Sequence, residues 1–127
     1  MADRVGDHLR DLLGEVQDRA PHAEVLLVGY PQLVPASGTC PELPLAAGDY
    51  AYVRDQFDHL DDVMRQAAAD AGVTFVDVHA ASAGHEICTG DDAWLNGTPA
   101  TDAAAAYHPF ASGERAIADL VLAAAPG

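Results

Sequence analysis

Two short apolar runs limit what this chain can fold into. They are Val25-Leu26-Leu27-Val28-Gly29 and Val73-Thr74-Phe75-Val76-Asp77-Val78, and a long helical pattern lies between them. Such runs read as strands buried on both faces of a parallel sheet. The pattern between them spans about Asp49 to Ala71. Val53, Phe57, Leu60, Met64, Ala67, Ala68 and Ala71 form its apolar stripe, Asp49 fits an N-cap, and Gly72 stops it. A strand–helix–strand unit builds a parallel sheet with helices on its faces.

A first helix is expected over residues 3–19. Val5, Leu9, Leu12, Leu13 and Val16 repeat there with helical period, and Pro21 ends it. A last helix is expected from about Ser112 to Ala124, with Ile117, Leu120, Val121 and Ala124 inward. Residues 30–48 are rich in Pro and Gly. Residues 79–110 are long and irregular, as functional loops are. The order is helix, strand, helix, strand, helix. Two strands leave apolar edges unpaired, so further strands are expected from a missing segment, a partner chain or a second copy.

The 127 residues make one domain, 1–127, and half of them are hydrophobic. The formal charge is −14, and every basic residue other than histidine is arginine. That charge repels a phosphate backbone and disfavours nucleic acid. No apolar stretch approaches the roughly 18 residues of a membrane-spanning helix. The opening Met1-Ala2-Asp3-Arg4-Val5-Gly6-Asp7 is polar and does not read as a signal peptide. Cys40 and Cys88 lie in loop segments. They suit one disulfide in an oxidising compartment, with two buried thiols as the other reading. A disulfide without a leader segment points to an N-terminal part lost or removed.

The loop after the second strand carries Gly84-His85-Glu86-Ile87-Cys88, then Trp94-Leu95-Asn96-Gly97, then Tyr107-His108-Pro109 ahead of Gly113. With Val28-Gly29-Tyr30-Pro31 and Phe75-Val76-Asp77-Val78, this ordered series resembles the actinobacterial branch of the SGNH/GDSL hydrolases, from about residue 5 onward. The resemblance implies an α/β fold with a three-layer, flavodoxin-like parallel sheet, incomplete here at its N-terminal strands. It implies a secreted lipase or esterase that cleaves small-molecule or lipid esters through a serine acyl-enzyme, with no cofactor and no metal.

By that resemblance His108 is the catalytic histidine. The family's acid stands three residues before the histidine, where this chain has Ala105. The Ala105 backbone carbonyl is the expected acceptor for the ring, with Asp102 as a substitute. Trp94, Asn96 and Tyr107 are pocket candidates. The family's Gly-Asp-Ser block is missing: Ser37, Ser82 and Ser112 are the chain's serines, and none follows Gly-Asp.

Three other readings stay open at this level. Ala80-Ala81-Ser82-Ala83-Gly84 approximates a nucleophile elbow after a strand, with Asp91 or Asp92 and His108 following. The chain also fits a truncated or degenerate hydrolase that folds or self-associates without chemistry. Asp77, His79, His85 and Glu86 carry metal-ligating groups, but in no established zinc spacing.

Overall fold

A computed structural model of the chain describes residues 2–125. Helix α1 (Ala2–Arg19) leads into strand β1 (Leu26–Val28), helix α2 (Asp49–Ala71) and strand β2 (Thr74–Val76). A short helix α3 (Val78–Ala81), a 3-10 segment (Ile87–Asp92) and helix α4 (Ala111–Ala124) follow. β1 and β2 pair in parallel, with Leu26 opposite Thr74 and Val28 opposite Val76. α2 and α4 pack against this sheet, and α1 packs against α2. The strand–helix–strand unit expected from the two apolar runs is therefore present.

The second strand is shorter than its apolar run. Asp77 Oδ1 accepts the Ala80 N–H at 2.9 Å, so Asp77 caps α3 and the strand stops at Val76. Gly48, not Asp49, is the N-cap residue of α2, and its end at Gly72 takes the left-handed φ of 68° that glycine tolerates. α1 departs more from expectation. Leu13 is buried, but Leu12 and Val16 are 55% and 38% exposed. Its apolar stripe is wider than α2 can cover.

The main buried cluster lies under the loops. Val34, Leu43, Tyr50, Ile87 and Leu95 form it, with Cys40 and Cys88 packed against it. The Tyr50 hydroxyl donates to the Leu43 carbonyl and accepts the Cys40 N–H at 3.3 Å. Cys40 and Cys88 are disulfide-bonded, with Cα atoms 5.5 Å apart. Loop 30–48 is thereby joined to the segment after β2.

Arg65 gathers the charges at the carboxyl end of β2. It bonds Asp61 at 2.7 Å and Asp77 at 3.0 Å and lies over the Phe75 ring. Burial pushes the Asp77 carboxyl up, but its bonds to Arg65 and the Ala80 N–H outweigh that and hold it below the ordinary value. A depressed folded-state pKa means a stabilising contribution that is complete above the unfolded value, about 3.9. It is lost as pH falls through the folded value. Urea midpoints are therefore expected to drop below about pH 4, and Asp77→Asn should flatten that part of the profile. An unchanged profile in the variant would contradict this assignment.

Candidate active site

Residues 94–96 and 108–110 form the frame of the site. Leu95 and Pro109 make an antiparallel bridge. The Phe110 N–H donates to Trp94 C=O at 2.8 Å, and Asn96 N–H to His108 C=O at 2.9 Å. Tyr107 N–H donates to Asn96 C=O at 3.0 Å. α4 starts directly beyond this ladder. Gly113 permits that close approach, because a Cβ there would stand 2.4 Å from the Trp94 carbonyl oxygen.

Asn96 is buried and holds the histidine loop from inside. Its Nδ2 donates to the carbonyls of Pro99, Ala104 and Ala105 at 3.2, 2.9 and 3.3 Å. The amide nitrogen is thus committed to backbone, while the residue also lines a cavity of about 240 Å³ with Glu42, Ile87 and Phe110. Asn96→Ala removes these bonds to half-buried and exposed loop residues and is expected to cost about 1 kcal/mol. Chemical denaturation of the variant checks this, and a loss below about 0.5 kcal/mol would remove Asn96 from that role.

His108 is solvent-exposed at the end of this loop. Its Nδ1 lies 2.8 Å from the Ala106 carbonyl oxygen. A carbonyl only accepts, so Nδ1 carries a hydrogen, and in the neutral imidazole the lone pair is then on Nε2. The acceptor is one residue later than expected. The Ala105 carbonyl instead accepts the His108 backbone N–H at 3.2 Å, beside the Asn96 amide. Tyr107 explains the difference. Its φ of 62° is left-handed, rare for a non-glycine residue, and turns the chain so that the Ala106 carbonyl faces the ring. Asp102 is exposed on the loop, and the ring nitrogen it was expected to hold is already taken.

A cavity of about 300 Å³ adjoins His108. Gly29, Tyr30, Leu33, Leu95, Tyr107 and Ile117 are among its lining residues. Gly29 and Tyr30 follow β1 directly, so the cavity opens at the carboxyl ends of the strands, where open α/β sheets bind ligands. A larger cavity, about 380 Å³, lies at the opposite ends, between Pro21 and Thr74. His22 and Glu24 line it, but it lies at the amino ends of the strands, opposite to the end where open α/β sheets bind ligands. Tyr107 lines the cavity beside His108. Trp94 does not: its ring stacks on His85 with centroids 4.6 Å apart.

Ser82 is fully buried, at 0% exposure. Its hydroxyl donates to the His79 carbonyl at 3.0 Å and accepts the Gln32 N–H at 2.8 Å. It ends α3, whereas an elbow serine precedes a helix. Ser82 is a tie between loops. The four metal-ligating side chains are spread over other partners. Asp77 bonds Arg65, His79 bonds Asp58, His85 bonds the Asp92 carbonyl and Glu86 accepts the Gly84 N–H. Among the described residues no cluster of three or more such groups is placed to hold a metal.

Sequence reasoning missed Ala106, whose side chain carries no signal because its carbonyl does the holding. It also missed the Tyr30 and Leu33 contribution to the cavity. The proline-rich run after β1 was the available clue.

The chain is similar to several Streptomyces enzymes. "Lipase 2" of Streptomyces coelicolor is 40% identical over 115 residues, which are 87% of this chain and 39% of that protein. "Esterase" of Streptomyces scabiei is 40% identical over 106 residues, 75% of this chain and 31% of that protein. The crystal structure of phospholipase A1 from Streptomyces albidoflavus superposes with a TM-score of 0.83 at 33% identity. That of an extracellular lipase from Streptomyces rimosus gives 0.81 at 30%. Each superposition covers 94% of this chain and 50% of the other. The chain therefore spans half or less of these relatives' length. It matches the sequence profile of the GDSL-like lipase/acylhydrolases over residues 1–116, and it belongs to that family.

Proposed function

We propose that this chain is the histidine-bearing part of a carboxylic ester hydrolase of the lipase or esterase kind. One observation carries the reading: His108 stands beside an apolar cavity at the strand ends with its ring fixed by the Ala106 carbonyl. In that state Nε2 takes the proton of a serine hydroxyl as the oxygen attacks the ester carbonyl. The imidazolium then gives this proton to the departing alkoxide. The Ala106 carbonyl orients the ring as a carboxylate would. The cavity's apolar lining suits the acyl part of a small-molecule or lipid ester, and the chemistry needs no cofactor.

The serine comes from outside residues 1–127 on this reading. Ser82 is buried and doubly hydrogen-bonded, and Ser37 and Ser112 follow no Gly-Asp pair. The disulfide and the relative named as an extracellular lipase favour an extracellular setting.

The test joins the N-terminal half of Streptomyces coelicolor "Lipase 2", the part this chain does not match, ahead of residues 1–127 in one polypeptide. Hydrolysis of a short p-nitrophenyl ester is expected. A folded, monomeric fusion without turnover would overturn the reading and favour a degenerate hydrolase fragment.

A further inference from the structure

Two cavities meet at one side chain. The His108 cavity, about 300 Å³, and the cavity of about 240 Å³ beside Asn96 have Leu95 in common. Each has an exposed mouth. Tyr30, Tyr107 and His108 are exposed on the first, and Glu42 and Gly90 on the second. Leu95 is only 3% exposed, so it stands at the inner end of both.

The backbone around Leu95 is fixed. It bridges Pro109, and the Trp94–Phe110 and Asn96–His108 hydrogen bonds hold it on either side. Gly97 lets loop 30–48 close tightly over this ladder, because a Cβ there would lie 2.2 Å from the Glu42 carbonyl oxygen. The Leu95 side chain is therefore what divides one cavity from the other. The cavity behind it suits hydrocarbon at its inner end. Ile87 and Ala93 are buried there, Phe110 and Cys88 are half-buried, and the Asn96 amide nitrogen is committed to loop carbonyls.

We propose that Leu95 sets the length of acyl chain that this site accepts. Its side chain ends the His108 cavity, and the cavity behind it is the space a longer chain would enter. The inference rests on the ester-hydrolase reading, in which the acyl part lies beside His108. A cavity of about 300 Å³ is at the small end for ligand pockets, so esters of short acyl chains are the preferred class with Leu95 in place. Trimming Leu95 joins the two cavities and adds apolar wall along a long chain, where each buried methylene strengthens binding. Leu95 also packs in the cluster of Val34, Leu43, Tyr50 and Ile87. A packing role alone predicts equal losses for short and long esters when Leu95 is trimmed. A length limit predicts a change in their ratio.

Two measurements test this, one of turnover and one of binding alone. In the fusion with the Streptomyces coelicolor "Lipase 2" half, kcat/KM is compared for p-nitrophenyl butyrate and p-nitrophenyl laurate. Leu95→Ala should raise the laurate-to-butyrate ratio about tenfold or more. Leu95→Val should raise it by a smaller factor, and it serves where the alanine variant fails to fold. In residues 1–127 alone, amide chemical shifts are followed on adding decanol, whose neutral head is not repelled by the −14 formal charge. Decanol should shift Tyr107 and Ile117 in the unaltered chain, and Ile87, Gly97 and Phe110 as well in Leu95→Val. An unchanged ratio in folded, active variants would overturn the length limit. So would decanol that already shifts both sets of amides in the unaltered chain. Shifts that spread in Leu95→Val beside an inactive fusion would leave Leu95 as the divider and overturn the hydrolase reading. Decanol that shifts neither set in either chain, beside an inactive fusion, would overturn both.

Discussion

His108→Ala is expected to lower kcat/KM by about 10³-fold or more once the serine half is present. KM should change little. On the proposed function His108 moves a proton in the transition states of both acyl transfer steps, and ground-state binding rests on the cavity. Loss of such a group removes stabilisation made only in the transition state. The remaining rate comes from substrate binding and oxyanion stabilisation, neither of which needs the imidazole. Asp102→Asn supplies the contrast. The ring nitrogen already donates to the Ala106 carbonyl at 2.8 Å, so this variant should retain activity within about twofold. A large loss there, with His108→Ala mild, would mean that a carboxylate holds the histidine and that the Ala106 contact is not the working one.

Loss of the Cys40–Cys88 bridge is expected to cost about 4 kcal/mol. The cysteines are 48 residues apart, and the chain-entropy model gives that figure for a loop of this length. The enclosed segment contains α2, β2 and α3 with parts of both strand-end loops. Its constraint in the unfolded chain is therefore large. The half-cystines also pack on the cluster of Val34, Leu43, Tyr50, Ile87 and Leu95. Cys40→Ala with Cys88→Ala should lower Tm by roughly 15 °C for a domain of this size. Urea denaturation of the oxidised and double-variant chains measures the difference. A loss under about 1 kcal/mol would show that the unfolded chain is held by other means.

The elements legible in the sequence are those with strong periodicity or punctuation. β1 and β2 announced themselves as apolar runs, and α2 by its stripe and by Gly72. The end of β2 was misread because Val78 continues the apolar pattern, while Asp77 caps α3 one residue earlier. Leu12 and Val16 were expected inside because the helical period groups them with Leu13. The structure leaves them partly outside, with α1 packed chiefly on α2. The family was legible through the ordered blocks around His108. The acceptor for the His108 ring was not, since a left-handed Tyr107 selects Ala106 over Ala105 and no residue type signals that turn. The stacking of Trp94 on His85 and the bonds of the Asn96 amide to three backbone carbonyls depend on the loop's path, which no residue type in the sequence signals.

The central claim is that residues 1–127 supply the histidine and not the serine. Intact-mass spectrometry after treatment with a fluorophosphonate tests it most directly, on the chain alone and on the chain with the Streptomyces coelicolor half. The account requires no adduct on residues 1–127 in either sample, and a single adduct on the supplied half that His108→Ala suppresses. A single adduct on Ser37, Ser82 or Ser112 of the chain alone, lost in His108→Ala, would contradict it.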